Sequence, residues 1–188
     1  MKNKKILHIP VDSKEIFQLK AGDIVYLTGT LITGRDAAHK RLVQLIEKGQ
    51  PLPVELANQA IYYAGPCPAK PGQIIGSCGP TTSGRMDSYT PTLLELGLKV
   101  MIGKGQRSDS VVKSIIQNGA VYLAAVGGVG ALISKCIKRA EVIAFEDLGT
   151  EAIHRLYVEE FPAIVAIDAK GNNLYENAYE NASVRQGC

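Results

Sequence analysis

The sequence predicts an α/β domain built on a mixed β-sheet. Over residues 24–126, short β-branched runs alternate with amphipathic helical patterns, which is the element order of α/β proteins. Beyond residue 142 the predicted strands follow one another with little helix between them, so we expect a mixed rather than a doubly wound sheet. At 188 residues, of which 46% are hydrophobic, the chain is long enough to bury one core and short for two. We therefore predict one domain over residues 1–188, with an N-terminal extension at 1–18 and a frayed tail at 176–188.

The first clear strand and helix meet at a charged turn. Residues Ile24–Ile32 are rich in β-branched and aromatic side chains and are bounded by glycines, which predicts a buried strand. From Arg35 to Lys48, apolar residues recur at helical spacing, and Gly49 is a natural C-terminal stop. Arg35 and Asp36 are therefore expected in a strand-to-helix turn.

The later elements follow from the same two periodicities, with Pro and Gly marking the connections. In chain order they are strands Ala60–Ala64 and Gln73–Gly76, helix Pro91–Leu96, strand Lys99–Gly103, helix Ser108–Gln117, strand Ala120–Val126, a short helix from Gly127 to Cys136, and strands Val142–Glu146, Ile153–Glu159 and Ala163–Ile167.

Charge and hydropathy exclude several classes of function. The net charge of +3 is too small and too scattered to predict nucleic-acid binding. There is no run of ~18 apolar residues, so no membrane span is predicted. The first fifteen residues turn acidic and polar before a secretory core forms, which favours a cytoplasmic protein.

The cysteines do not form a metal site by their spacing. Cys67, Cys78, Cys136 and Cys188 show no CxxC pair and no histidine at ligand spacing. If iron and sulfur are involved, we expect another chain to hold them. Cys67 and Cys78 are expected to be buried, inert thiols, because neither has a cationic neighbour in sequence.

Three cations lie where the chain geometry tends to place ligand contacts, and in α/β sheets ligands bind at the C-terminal ends of strands. Arg35 follows the first strand, Arg85 follows a Thr/Ser/Gly turn, and Lys104 stands between two glycines after another strand. Arginine binds a carboxylate through two parallel N–H bonds and lysine offers a compact charge, so together they suit a small dianion. Each cation alone is more simply a solvated surface charge, but the three together favour a site.

The segment Gly79–Asp87 offers three hydroxyls and a glycine beside Arg85, an arrangement that suits an anion. The alternative is a capped helix start, with Thr or Ser satisfying free backbone N–H groups. Asp36 and Asp87 stand near Arg35 and Arg85, where each can orient its arginine or cap a helix.

Two further features are ambiguous from sequence. The glycines of Gly127–Gly130 follow a strand, but they lack the GxGxxG spacing of a dinucleotide site. Close strand–helix packing, or an edge offered to a partner, is the favoured role. His39 falls on the first turn of the helix that Arg35 opens. It can face the site or pack, and packing is slightly favoured.

An ordered series of motifs from about Leu19 to Tyr175 resembles the β-subunit, or C-terminal domain, of class I fumarases and L-tartrate dehydratases. The GPTTSGRMD segment is particularly specific to that family. The matching segments are Gly34–Arg41, Gly65-Pro66, Gly76–Asp87, Gly103–Gly105 and Asp147–Ala152.

The resemblance implies a swivelling β/β/α three-layer domain. It also implies an α-subunit whose three cysteines hold a 4Fe-4S cluster, paired with this chain in a heterotetramer of two α and two β chains. One iron of that cluster acts as a Lewis acid on the substrate. The reaction implied is the reversible hydration of fumarate to L-malate, with this chain inactive alone.

The same resemblance implies roles for individual residues. Arg35, Thr81, Arg85 and Lys104 correspond to the positions that contact the C4 dicarboxylate, and His39 has a supporting role, as we expect for Asp36 and Asp87. Family proposals make the threonine the catalytic base. A free hydroxyl is too weakly acidic for that unless flanking cations favour its alkoxide.

Two other interpretations stay open from sequence. L-tartrate dehydratase acts on a substrate with one further hydroxyl, which the α-subunit can contact. A stand-alone small-anion-binding module is the non-enzyme alternative, and the intact cationic positions argue against it.

Overall fold

The computed structural model describes residues 5–125 and 130–176. Its strands are β1 (Lys5–Ile9), β2 (Ile24–Thr33), β3 (Ala60–Tyr62), β4 (Val100–Gly103), β5 (Val121–Ala125), β6 (Ile137–Ala144) and β7 (Ile153–Ile167). Its α-helices are α1 (Ser13–Ile16), α2 (Asp36–Glu47), α3 (Thr90–Glu95), α4 (Asp109–Asn118) and α5 (Gly130–Cys136). Two segments, Ser83–Met86 and Glu146–Glu151, are 3₁₀ helices.

The seven described strands form one mixed sheet in the order β1-β2-β3-β4-β5-β7-β6. The first five strands run parallel to their neighbours, and β7 runs antiparallel to β5, β6 and β2. Because β7 pairs with both β5 and β2, the strands β2, β3, β4, β5 and β7 form a closed ring of pairings. The predicted α/β class and mixed sheet are confirmed.

Two apolar clusters bury opposite faces of the strands. Along β4, Val100 and Ile102 point into the first cluster and Met101 into the second, as the period of two in a strand requires. The first cluster is enclosed by all seven strands with α1 and α5, and the second packs α2, α3 and α4 against the sheet. Strand packs on strand on one side and helix on strand on the other, an arrangement that is consistent with β/β/α layering.

Several predicted boundaries change. Gln73–Gly76 is not a strand but part of a loop that folds on itself, with Gly76 N–H donating to the Cys67 carbonyl. Gly76 also packs so closely that an added Cβ would lie 2.5 Å from that carbonyl oxygen. The strand predicted at Val142–Glu146 starts earlier, at Ile137.

The last two predicted strands are one. Ile153–Ile167 is a single fifteen-residue strand that pairs with β2 along most of its length. The gap predicted between them, at residues 160–162, is part of this strand, in which Glu160 has a positive φ of 52°.

The amino-terminal part of the chain contributes a strand to the sheet. Within residues 1–18, expected to precede the domain, Lys5–Ile9 forms β1 and pairs with β2. The Gly127–Val129 segment and the tail beyond Glu176 lie outside the described residues. No helix in the described ranges is long and apolar enough to cross a membrane.

Candidate functional site

The carboxyl ends of β2, β3 and β4 coincide at one edge of the sheet. Thr33, at the end of β2, is in register with Tyr62, and Tyr62 is in register with Ile102 of β4. Arg35 follows β2 by two residues, and Lys104 comes directly after β4. The strand-end placement predicted for these two cations is therefore what the structure shows.

The Gly79–Asp87 segment lies along the same edge and extends the backbone pairing beyond the strands. Pro80 forms a bridge with Ala64, and Thr82 forms one with Lys104. The Thr81 N–H donates to the Tyr63 carbonyl over 2.7 Å, and the Ser83 N–H donates to the Lys104 carbonyl over 2.9 Å. Thr81 is thereby held between the ends of β3 and β4, one residue from the backbone of Lys104.

Helix capping does not account for the hydroxyls of this segment. Thr82 is the N-cap of the 3₁₀ turn Ser83–Met86, yet its side chain makes no cap hydrogen bond. The buried Ser83 hydroxyl lies 2.9 Å from the Tyr122 hydroxyl instead. An added Cβ at Gly103 would lie 2.0 Å from the Ser83 Oγ, so β4 must end in glycine for the segment to approach.

Arg35 is fixed from three sides. Its Nη2 lies 3.2 Å from Glu151 Oε1 and 3.8 Å from Asp36 Oδ2. Its side chain packs over Gly65, where an added Cβ would lie 3.0 Å from the arginine Cδ and 2.9 Å from the Thr150 carbonyl oxygen. Since Gly65 directly follows Ala64, the bridge partner of Pro80, Arg35 is close to the start of the Thr81 segment.

Glu151 supplies the helix cap that Asp36 does not. Its Oε2 accepts from the Ala37 N–H over 3.0 Å, at the amino end of α2 where a negative charge is favoured. Asp36 makes only the long contact with Arg35, and its Oδ2 is buried without a hydrogen-bond partner among the described residues. Of its two predicted roles, contact with Arg35 is the one present. Sequence reasoning gave no role to Glu151, although it matched the family motif that contains it.

His39 packs rather than facing open space. Its ring is fully buried, stands edge-on to Tyr63 at 5.4 Å between ring centres, and has its Nδ1 2.9 Å from the Arg35 carbonyl oxygen. The pKa of His39 is lowered to about 4, mainly by burial and also by the nearby charge of Arg107, while the hydrogen bond to the Arg35 carbonyl and the charge of Asp36 act in the opposite direction. The imidazole is therefore neutral near pH 7.

Asp87 contacts a different arginine from the one expected. Its Oδ1 accepts from Arg107 Nε over 2.7 Å, and its Oδ2 accepts from the Ser108 N–H, the N-cap residue of α4, over 2.6 Å. The helix-capping alternative is thus the one the structure shows. Arg107 was missed, although it lies in the same strand-end loop as Lys104.

Arg85 and Lys104 are both exposed, and neither side chain has a hydrogen-bond or ion-pair partner within the described ranges. Together with the partly exposed Arg35, they place three cations along one edge. Of these three, only Arg35 meets a carboxylate within the described ranges. Such an edge is suited to binding a small molecule with two carboxylates.

The cysteines within the described ranges differ in exposure. Cys67 is exposed, contrary to expectation, whereas Cys78 is buried and burial raises the pKa of its thiol to about 12. Across residues 5–125 and 130–176, no three His, Cys, Asp or Glu side chains group so that they can hold a metal ion. The donor set of the described chain therefore does not fit an iron–sulfur cluster.

The family model and the curated relatives that match this chain agree on one family. Residues 2–178 match the family model described as the fumarase C-terminus. The chain is 44% identical over 152 residues to the anaerobic class I fumarate hydratase of Escherichia coli, and 40% identical over 170 residues to fumarate hydratase 2 of Leishmania major. It spans 28% and 30% of the length of those two enzymes, while the matches cover 80% and 88% of this chain.

A second group of relatives has about the length of this chain. The putative L(+)-tartrate dehydratase subunit beta of Methanocaldococcus jannaschii is 39% identical over 169 residues, a match that covers 87% of each protein.

Proposed function

The chain belongs to the fumarase C-terminus family, and we propose that it is the β-subunit of an iron–sulfur hydro-lyase that hydrates fumarate reversibly to L-malate. The observation that carries the proposal is the convergence of three elements at one sheet edge. Backbone bridges join the Gly79–Asp87 segment to Ala64 and Lys104, and the Arg35 side chain packs over Gly65, the residue after Ala64. The identity to class I fumarate hydratases supports the choice of reaction.

The cations in this arrangement bind the two carboxylates of the substrate. Arg35 and Arg85 each offer a planar fork of donors, and Lys104 offers a point charge. Arg35 is held by Glu151 at 3.2 Å, so its orientation is set before substrate arrives. A guanidinium that is already ordered loses less conformational entropy on binding, which favours a tight and directional contact.

The same cations lower the barrier to proton removal. When a proton leaves the carbon beside a carboxylate, negative charge develops on the carboxylate oxygens. Donors fixed beside those oxygens stabilise that charge, as an oxyanion hole does. Thr81 takes the proton in this proposal, and flanking cations such as Lys104, one residue away across the Thr82 bridge, favour the alkoxide it needs.

The exposed edge is half of a site. Arg85 and Lys104 extend into solvent here, and water would weaken their hold on a dianion. We propose that a larger α-subunit, which corresponds to the remainder of the fumarate hydratases, covers this edge and holds the 4Fe-4S cluster. A heterotetramer and a cytoplasmic location stay predictions from the sequence.

The β-subunit of an L-tartrate dehydratase is the second candidate. It is favoured by one observation, the match over 87% of both chains to a protein named as such a subunit. The two candidates share the same residues in this chain and differ in the substrate hydroxyls that the partner must contact.

The test is co-expression with the α-subunit candidate, followed by anaerobic iron and sulfide loading and assays on fumarate, L-malate and both tartrates. We expect a stable complex that converts fumarate and malate, whereas the chain alone converts neither. Turnover of tartrate only would establish the second candidate. A loaded complex that converts none of the four substrates would contradict the hydro-lyase proposal.

A further inference from the structure

Arg107 is a buried cation beneath the candidate site. Its side chain is 0% exposed, and its Nε donates to Asp87 Oδ1 over 2.7 Å. Its Nη2 donates to Thr90 Oγ1 over 2.7 Å, and its Nη1 lies 3.3 Å from the Tyr63 hydroxyl. The guanidinium also lies over the rings of Tyr63 and Tyr122, at 5.2 and 5.0 Å from their centres.

These neighbours are the residues that hold the two loops of the site. The Tyr63 carbonyl accepts the Thr81 N–H. The Tyr122 hydroxyl lies 2.9 Å from Ser83 Oγ, on the Thr81 segment, and donates to the Gly105 carbonyl over 2.8 Å, directly after Lys104. Arg107 therefore connects, through two tyrosines, the loop that carries Thr81 with the loop that carries Lys104.

Asp87 closes the connection. It terminates the Gly79–Asp87 segment, and its two oxygens bind Arg107 and the Ser108 N–H. Both ends of the segment are thus fastened, one by Tyr63 and the other by Arg107. Arg85 lies between these two points, in the 3₁₀ turn Ser83–Met86, and its side chain is exposed.

Stability alone does not explain a buried ion pair. Well-packed apolar residues of similar volume often replace such a pair without loss of stability, whereas removal of one partner leaves an uncompensated charge. The five donors of a guanidinium offer something that apolar packing does not, which is a fixed direction toward each of several acceptors.

We propose that Arg107 is a positioning residue for the hydro-lyase site. It sets the distance between the Gly79–Asp87 segment and the Lys104 loop, and it does not touch substrate. The role as stated rests on the proposed function, but the geometry that it describes can be measured without turnover.

The test compares three variants in the assembled enzyme and in the chain itself. Arg107→Met removes the donors, Arg107→Lys keeps the charge without the fork, and Asp87→Asn weakens the pair from the other side. Leu7→Ala is the control, because Leu7 is 1% exposed in β1 and lies outside the site. Hydrogen exchange of the chain reports whether the Gly79–Asp87 segment stays bonded to the Lys104 loop. KM for the dicarboxylate reports whether that geometry affects substrate binding.

For Arg107→Met we expect the Ser83 amide, which donates to Lys104, to exchange at least tenfold faster relative to the Val165 amide at the other end of the sheet. KM should rise at least tenfold, and Arg107→Lys and Asp87→Asn should lie between that variant and the wild type. Leu7→Ala should leave KM unchanged and should not speed the exchange of the Ser83 amide relative to the Val165 amide, because Leu7 and Val165 share one apolar cluster away from Ser83.

Three outcomes are separable. An unchanged Ser83 ratio in a folded Arg107 variant would overturn the positioning role. A changed ratio with unchanged KM would also overturn it, because the loops would then move without consequence for substrate. Lack of hydro-lyase activity in the wild-type complex would sink the proposed function, while the exchange ratio would still decide whether Arg107 fixes the loops. If Arg107→Met does not fold, Arg107→Lys is measured in its place, and the same two outcomes decide the role.

Discussion

The ring Nδ1 of His39 lies 2.9 Å from the backbone carbonyl oxygen of Arg35, one helical turn before it. Because a carbonyl only accepts, Nδ1 is assigned the proton and Nε2 is a bare acceptor. Nε2 is buried and has no hydrogen-bond partner within the described ranges. The neutral ring therefore packs between the Arg35 backbone and Tyr63. The Tyr63 carbonyl in turn accepts the hydrogen bond from the Thr81 N–H.

Neutral burial of His39 predicts acid sensitivity. The pKa falls from an ordinary 6.5 to about 4 in the folded chain, because burial disfavours the imidazolium. Below pH 6.5 the unfolded chain therefore binds a proton at His39 that the folded chain does not bind. The contribution of neutral His39 to the free energy of unfolding is fully present above pH 6.5 and is lost as the pH drops toward 4. Between pH 7 and 5 we expect the wild type to lose about 2 kcal/mol more than His39→Gln.

Urea unfolding at pH 7, 6 and 5 measures this difference. The control is His8→Gln, the same substitution at a histidine that is exposed on β1. A His39→Gln variant that loses as much stability as the wild type over this range would show that His39 is not the group responsible.

Glu151 is expected to stabilise the start of α2 as well as Arg35. Replacement by alanine removes the acceptor for the Ala37 N–H and the 3.2 Å contact with Arg35. Both carboxylate and guanidinium are about a quarter exposed, so most of the loss should come from the helix end, about 1 kcal/mol in the free energy of unfolding.

Glu141→Ala is the matched control for that measurement. Glu141 pairs with Arg155 at 2.8 Å, but both side chains are more than half exposed and neither caps a helix. Its removal should change the unfolding free energy little. Equal losses for the two variants would mean that the contacts of Glu151 have no special weight.

Gly65 is expected to set the position of Arg35. An alanine there would meet the Arg35 Cδ at 3.0 Å and the Thr150 carbonyl at 2.9 Å, so one of the two must shift. A displaced guanidinium should raise KM about tenfold, which corresponds to about 1.4 kcal/mol of binding. Steady-state kinetics of the assembled enzyme check this.

Gly49→Ala separates misplacement from general strain. Gly49 has a positive φ of 62°, and no atom lies within 4 Å of an added Cβ. Alanine there strains the backbone and should lower stability by about 1 kcal/mol without changing KM. An equal rise in KM for both glycine variants would contradict the role given to Gly65.

Thr81 is expected to act in the chemical step. Thr81→Val keeps the shape and removes the hydroxyl, so kcat should fall by ~10²–10⁴ if that hydroxyl takes the proton. Thr81→Ser keeps the hydroxyl and should stay within about tenfold of the wild type. If the valine variant also stays within tenfold, Thr81 is a substrate contact and the base lies elsewhere.

Sequence patterns were informative where the cause of structure is local. The strand at residues 24–33 and helix α2 follow from β-branched and 3.6-residue periodicity, and both appear within a residue or two of the prediction. Arg35 and Lys104 were placed at strand ends by the same patterns, because a cation after a strand is visible without knowing the strand's neighbours.

Contacts between distant residues were not predictable in this way. Arg35 is held by Glu151, 116 positions later, and Asp87 by Arg107, twenty positions later. No periodicity records which carboxylate meets which arginine, since that depends on the order of strands in the sheet. The strand predicted at Gln73–Gly76 was wrong for the opposite reason. Its local sequence favours a strand, but hydrogen bonds between Cys67 and residues 76 and 77 fold this stretch into a loop.

The central claim is that this chain supplies substrate-binding cations to a site completed by another subunit, and Arg85 tests it most directly. A fixed amount of cluster-loaded α-subunit is titrated with wild-type chain or Arg85→Met, while loss of fumarate is followed anaerobically and binding of the two chains is measured in parallel. Wild-type chain should raise the rate from near zero to a plateau.

Arg85→Met should bind the α-subunit equally well and reach a plateau with kcat/KM about a hundredfold lower, because a charged contact with the dicarboxylate is lost. A plateau equal to that of the wild type, or full turnover by the α-subunit alone, would contradict the claim.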